Sequence, residues 1–228
     1  MISGHAVVTL DKLCLSKLAK QAAEAIANPD EKSNISSYIQ SYPKILNAAK
    51  ILRDSSNPDR LVGIAAIAYS WMPRVLRNWP TEAALNDLAD WALQVSDMEA
   101  AANDVRGAAQ DVREGRTSKI GDLRIINGTL VGTSKFMHLL APDKFPIWDS
   151  VVARHWGLNN FNAYEQPERY AEYLDLVAAV QKVDNDDKKF SRALGCHADG
   201  LTPVRCIEFC LYVTAPPKPK KNEASNIG

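Results

Sequence analysis

The sequence predicts an all-α protein. Apolar residues recur with a period near 3.6 along almost every segment, and no long segment alternates strictly between apolar and polar residues. The chain has 228 residues, of which 46% are hydrophobic and 24% charged, enough to bury a sizeable core without a disulfide or metal. We expect one globular domain over residues 1–214 and a flexible, solvated Pro/Lys tail over residues 215–228.

Five helices are predicted in the first half of the chain. Asn28-Pro29-Asp30 ends the first, and the second is expected to be interrupted near Pro43. The third, opened by Asn57-Pro58-Asp59, is apolar on most sides and therefore predicted to be central to the core. Thr81 followed by Glu82 gives a cap and an acid at the start of the fourth. The expected spans are 10–27, 36–53, 57–71, a helix from 81 through Val95, and 97–112.

The helical pattern breaks over residues 114–132, which are rich in Gly, Thr and Ser. A helix is expected to resume at Thr133-Ser134 and continue to Leu140, to stop before Pro142, and to restart at Asp149. The later helices are predicted over about 166–183, 188–194 and 203–213.

The composition narrows the class of function. With 27 basic and 27 acidic side chains the net charge is zero, which excludes a histone-like binder and requires a local patch for any nucleic-acid contact. No apolar run is long enough for a membrane span, and no secretory signal is visible. Four cysteines suit a reducing compartment, so a cytoplasmic protein is expected. The histidines have no metal-ligand spacing, and we expect neither a metal nor a cofactor.

Lys135 and Asp149 are the candidate catalytic pair. A glycine turn precedes the helix that carries Lys135, and the predicted start places this lysine in the first turn, where the helix dipole disfavours its charge. Desolvation would lower the pKa of the amine further, and a neutral amine can be a nucleophile. Asp149 follows fourteen residues later, at the start of the next predicted helix, where backbone N–H groups hold a carboxylate in its ionised form.

These residues resemble the helix-hairpin-helix base-excision DNA glycosylases, especially the 8-oxoguanine DNA glycosylase-like branch. Val131-Gly132-Thr133-Ser134-Lys135 is similar to the hairpin and catalytic lysine of that superfamily. Pro146-Ile147-Trp148-Asp149-Ser150-Val151-Val152 is similar to the segment that bears its aspartate. Tyr69-Ser70-Trp71-Met72-Pro73 also resembles a bacterial group of this branch. The resemblance implies two helical lobes around a DNA-binding cleft, with the hairpin and catalytic helix at about 120–157.

The resemblance also implies a DNA glycosylase with AP lyase activity that excises an oxidised purine such as 8-oxoguanine from damaged duplex DNA. The base is flipped into a pocket, Lys135 attacks the sugar C1′ to form a Schiff base, and Asp149 stabilises charge and assists proton transfer. Trp148 and His138 are the candidate base-pocket residues. The candidate DNA contacts are Gly132, Thr133, Ser134, Arg124, Lys119 and Arg154, with Arg113 and Arg116 nearby. The protein is expected to act as a monomer.

Two other functions remain open at this point. The hairpin glycines, Gly128 and Gly132, lie four residues apart, an irregular spacing that favours a non-catalytic helix-hairpin-helix module binding DNA or RNA. A purely structural helical partner protein would use Lys135 as surface charge and Asp149 as a helix cap. Cys206 and Cys210 share a face of an apolar helix and are predicted to lie in the core.

Overall fold

The protein is described from a computed structural model, which covers residues 15–27, 35–70, 79–118, 120 and 123–218. These residues form ten α-helices and two 3-10 helices and contain no strand, which confirms the all-α prediction. The α-helices are α1 Leu15–Ala27, α2 Ile35–Arg53, α3 Arg60–Ser70, α4 Glu82–Gln94, α5 Met98–Arg113, α6 Leu130–Leu140, α7 Phe161–Tyr164, α8 Pro167–Asp187, α9 Lys189–Leu194 and α10 Pro203–Val213. The 3-10 helices are Val152–Trp156 and Gly195–Ala198.

Helix α3 is central to the core, as its apolar composition predicts. It packs against α2, α4 and α6, and Ile64, Ala65 and Ala68 are fully buried. Small side chains on α3 allow its neighbours to approach closely. Buried residues of every α-helix except α7 join one continuous cluster, so α6 is held by a core that extends through the described chain.

Helix α2 runs through Pro43, where the sequence predicts an interruption, and this prediction is wrong. Proline inside a helix removes one hydrogen bond and costs about 3 kcal/mol. Tyr42 and Ala49, on either side of the expected break, are both fully buried. Burial of both halves of α2 outweighs the local cost of Pro43. Tyr42 is thereby placed in contact with α6, through His138, and with α10, through Arg205.

Three ion pairs join the antiparallel helices α5 and α8 at seven-residue intervals on each helix: Glu99 with Lys182, Arg106 with Asp175, and Arg113 with Glu168. The polarity of the first pair is opposite to that of the other two. A shift of one helix by two turns would leave only one pair of opposite charges and would place one pair of like charges together, so the pattern favours the observed register.

Most of the predicted helix ends are correct. The Thr81 hydroxyl accepts a hydrogen bond from the Ala84 N–H at 3.2 Å and caps α4, and Asp97 caps α5 through the Ala100 N–H at 2.8 Å. Helix α10 has the predicted bounds, and α8 extends four residues beyond the predicted Val183. Two predictions near the site are wrong: α6 begins earlier than Thr133, and a 3-10 helix, not an α-helix, follows Asp149.

Several predictions lie outside the described residues. These are the start of the first helix at 10–14, the motif residues 71–73, Lys119, and the tail from residue 219 onward. None of the described helices combines the length and the apolar composition that crossing a bilayer requires.

Candidate active site

Two side chains, those of Thr129 and Glu165, accept hydrogen bonds from the N–H groups at the start of α6. Gly128 adopts a left-handed conformation (φ 66°), and Thr129 then accepts a hydrogen bond from the Gly132 N–H at 3.0 Å. The carboxylate of Glu165 accepts hydrogen bonds from the N–H groups of Leu130, at 2.5 Å, and Val131, at 3.5 Å. An acid at a helix N-terminus satisfies unpaired N–H groups and the helix dipole together. These contacts allow α6 to begin at Leu130, one residue after the cap.

Lys135 consequently lies in the second turn of α6 and not in its first turn. The dipole of a helix acts mainly within its terminal turn, so the dipole argument for a perturbed lysine does not apply here. Burial is the main cause that lowers the pKa of the Lys135 amine below its ordinary value of 10.5. The negative charge of Asp149 opposes this shift, and the positive charge of Arg205 adds to it.

The connection from α6 to Asp149 is held by buried polar contacts. The Ser134 hydroxyl lies 3.1 Å from the Trp148 N, which donates to it, and 3.2 Å from the Trp148 carbonyl oxygen. One residue earlier, the Ile147 N–H donates to the carboxylate of Glu208 at 3.0 Å. Helices α6 and α10 therefore fix both sides of the segment that precedes Asp149.

Asp149 stands at the entrance to the 3-10 helix Val152–Trp156. Its Oδ1 accepts hydrogen bonds from the N–H groups of Val151 and Val152, each at 2.8 Å. The carboxylate thus has the N-terminal capping role that the sequence predicts, although the helix is shorter than expected.

Lys135 and Asp149 line one small cavity of about 60 Å³. The same cavity is lined by two further charged side chains, Arg205 and Glu208 of α10. Its apolar lining comes from Ile147, Phe209 and Tyr212. The structure therefore brings the predicted catalytic pair together, and it adds a second acid and a second cation.

Neither Arg205 nor Glu208 was predicted as a site residue from the sequence. Both residues are buried, with 7% of Arg205 and 3% of Glu208 exposed, and the Arg205 guanidinium donates to a Glu208 oxygen. The available signal was composition, since these are the two charged residues of the eleven-residue helix Pro203–Val213. Buried charges in an apolar helix mark a polar network or a functional site.

Trp148 and His138 do not line this cavity, contrary to the base-pocket prediction. The Trp148 side chain is fully buried; its indole N–H donates to the Tyr164 carbonyl at 2.7 Å, and its rings contact Trp156 and Tyr173. A tryptophan enclosed in this way packs the core.

The imidazole of His138 is also fully buried. Its Nδ1 donates to the Phe145 carbonyl at 2.7 Å, so its Nε2 accepts from the Tyr42 hydroxyl at 2.8 Å. Burial lowers the pKa of His138 to about 3, and His138 therefore stays neutral and structural.

The hairpin residues predicted to hold a DNA phosphate are directed inward. Gly132, Thr133 and Ser134 are buried, and the Thr133 hydroxyl accepts from the Ile126 N–H at 3.2 Å. Glu165 and Thr129 already occupy the N–H groups at the start of α6. A phosphate would have to displace the buried carboxylate of Glu165. The structure therefore does not offer the predicted phosphate site at these residues.

The arginines near the motif do not form a uniform positive patch. Arg113 pairs with Glu168 at 3.1 Å, and Arg116 pairs with Asp111 and Glu114. Arg154 donates to the Pro216 carbonyl at 2.8 Å, and Arg124 is exposed. Arg113 and Arg116 therefore have acidic partners that offset their charge.

Cys206 and Cys210 are buried free thiols, which confirms their predicted place in the core. Burial raises the pKa of the Cys206 thiol to about 11, and that of Cys210 is also raised, so neither is a reactive thiolate. Within the described ranges, no group of three or more His, Cys, Asp or Glu side chains could hold a metal ion.

No protein-family model, curated protein or solved structure matches the chain.

Gly132→Ala is expected to destabilise the protein by about 1–3 kcal/mol, because the added Cβ would lie 2.5 Å from the Ile126 carbonyl oxygen. Gly107→Ala is the matched control. Gly107 also lies within a helix, with no heavy atom within 4 Å of an added Cβ, and the change should stabilise by about 0.5–1 kcal/mol. Urea denaturation measures both, and equal effects of the same sign would contradict the close approach at Gly132.

His138 should make the stability depend on pH. Its folded pKa of about 3 lies below the ordinary value of 6.5, so between these values the unfolded state binds a proton that the folded state does not. The free energy of unfolding should fall by about 1.4 kcal/mol per pH unit from this residue as the pH is lowered from 6 to 4. His138→Gln should remove that part of the slope in urea denaturation. An unchanged slope would show that His138 is not the group responsible.

Proposed function

We propose that the protein is a DNA glycosylase with AP lyase activity that acts on an oxidised purine such as 8-oxoguanine. The observation that carries this proposal is the meeting of Lys135 and Asp149 in one cavity. The motif resemblance provides the reaction class, and the all-helical fold is compatible with the two-lobed fold of that superfamily. Arg124 and Arg154 are the proposed phosphate contacts.

In the proposed reaction the amine of Lys135 is the nucleophile. An uncharged amine is needed, and the lowered pKa of Lys135 increases its fraction near neutral pH. The nitrogen lone pair forms a bond to the sugar C1′ as the bond from C1′ to the base breaks. The base leaves with the two electrons of the broken bond and takes up a proton. Loss of a proton from nitrogen and opening of the sugar ring then give the Schiff base, from which β-elimination cleaves the strand.

Asp149 has two tasks in this reaction. Its carboxylate stabilises the positive charge that develops on the sugar, and it transfers a proton during ring opening. The hydrogen bonds from Val151 and Val152 fix Oδ1, so the carboxylate does not need to reorganise when the charge appears.

The cavity must open to admit the substrate. A volume of about 60 Å³ accommodates roughly four water molecules, less than a purine base requires. Tyr212 is the half-buried aromatic side chain of the lining, whereas Phe209 is almost fully buried. In the proposed mechanism, movement of Tyr212 enlarges the cavity.

The structural helical partner protein is a second candidate. It is favoured by the start of α6, where Glu165 occupies the N–H groups that a hairpin module would offer to phosphate, and by the acidic partners of Arg113 and Arg116. The same observations count against the non-catalytic DNA- or RNA-binding module.

Borohydride trapping tests the proposed reaction. Incubation with an oligonucleotide that contains 8-oxoguanine or an abasic site, followed by borohydride, should give a covalent protein–DNA adduct in wild type. Lys135→Ala should abolish the adduct because it removes the amine. Lys50→Ala, which changes an exposed lysine of α2, should form the adduct normally. Absence of any adduct in wild type would favour the structural partner protein.

Asp149→Asn should lower turnover by roughly two orders of magnitude or more with little change in DNA affinity. Asparagine is also a good cap, so its side-chain oxygen can still accept from Val151 and Val152 and preserve the 3-10 helix. Single-turnover cleavage and DNA titration measure the two quantities separately. Equal losses of rate and affinity would make Asp149 a folding residue.

A further inference from the structure

Arg205 and Glu208 form a charged pair in the wall of the cavity. Both belong to α10, and both line the cavity that contains Lys135 and Asp149. Replacing a buried ion pair with apolar residues of similar volume is often neutral or stabilising, so such a pair is weak evidence for a role in stability. Its position beside a candidate nucleophile suggests a role in the chemistry of the site.

The guanidinium of Arg205 is contacted by side chains of two helices, α10 and α2. Glu208 accepts a hydrogen bond from it within α10, and its central carbon lies 4.9 Å from the ring centre of Tyr42 on α2 and 5.9 Å from that of Phe209. Glu208 is in turn fixed by the Ile147 N–H. Arginine remains protonated at every relevant pH, so this arrangement holds a permanent positive charge at a defined place.

We infer that Arg205 is a positioning residue for Lys135: its guanidinium, fixed by Glu208 in the cavity wall, disfavours the ammonium form and so keeps part of the amine nucleophilic. This inference rests on the proposed role of Lys135. The inference goes beyond that role because it assigns control of the charge on Lys135, in α6, to a residue of α10.

The charges around Lys135 come from few elements. Asp149 of the connecting segment attracts the ammonium, and Arg205 repels it. From α10, Glu208 and Tyr212 also face the cavity. Other ionisable groups near Arg205 are Tyr42 of α2, His138 of α6, Tyr173 of α8 and Cys206 of α10. Burial raises the pKa of Tyr42 to about 12, that of Tyr173 well above 10 and that of Cys206 to about 11, and it lowers the pKa of His138 to about 3. All four are therefore neutral near pH 8.

Reductive methylation measures the nucleophilicity of Lys135 without DNA. The amine condenses with formaldehyde and releases water, and hydride from cyanoborohydride reduces the resulting iminium to the methylamine. Formaldehyde is small enough for the cavity. Mass spectrometry of peptides after a brief reaction at each pH gives the rate at Lys135, with exposed Lys50 as the internal reference.

Two variants should shift the methylation profile of Lys135 in opposite directions. Arg205→Met combined with Glu208→Gln removes the fixed cation without leaving a buried acid unpaired, and it should move the profile to higher pH, with a rate about tenfold lower near pH 8. Glu208→Gln alone keeps the cation and removes its counter-charge, and it should move the profile to lower pH. The Lys50 profile should not move in either variant.

An unchanged Lys135 profile in either folded variant, or shifts of both in the same direction, would overturn the inference. If the double variant does not fold, Glu208→Gln alone decides the question, because a shift to higher pH or no shift contradicts a role for the Arg205 charge. Failure of the proposed glycosylase reaction would appear in the borohydride experiment and would leave these profiles interpretable.

Discussion

Four charged side chains line one cavity of about 60 Å³, and the rest of the site depends on how their charges are compensated. An isolated charge removed from water costs several kcal/mol, so each carboxylate needs its donors and each cation needs nearby acceptors. Glu208 is satisfied by Arg205 and the Ile147 N–H, and Asp149 by two backbone N–H groups. Lys135 responds by a lowered pKa, which is how a buried amine reduces its desolvation cost.

Many polar groups near the cavity form hydrogen bonds within the protein and are therefore not available to a ligand. Glu165 closes the start of α6, Ser134 holds the segment before Asp149, and His138 links α2 to the Phe145 carbonyl. Fully satisfied buried networks of this kind specify a single arrangement of the elements. These hydrogen bonds fix the walls of the cavity, because α6, α10 and the connecting segment all meet there.

The sequence predicted the helices well because their periods and caps are local features. Thr81 and Asp97 cap helices through residues three positions away, which a single stretch of sequence reveals. The start of α6 could not be predicted in the same way, because Glu165 acts from 35 positions away in the chain. The same limit applies to the cavity: Lys135 and Asp149 stood out by their motifs, whereas only the fold shows that Arg205 and Glu208 join them.

The most direct test of this account is the titration of Lys135 itself. NMR of the protein with ¹³C-labelled lysine side chains, with the Lys135 signal assigned by Lys135→Arg, follows each ammonium through its own pKa. We expect Lys135 to lose its proton at a lower pH than the exposed lysines, because burial and the charge of Arg205 outweigh the attraction of Asp149. A Lys135 signal that titrates with the exposed lysines, or above them, would contradict it.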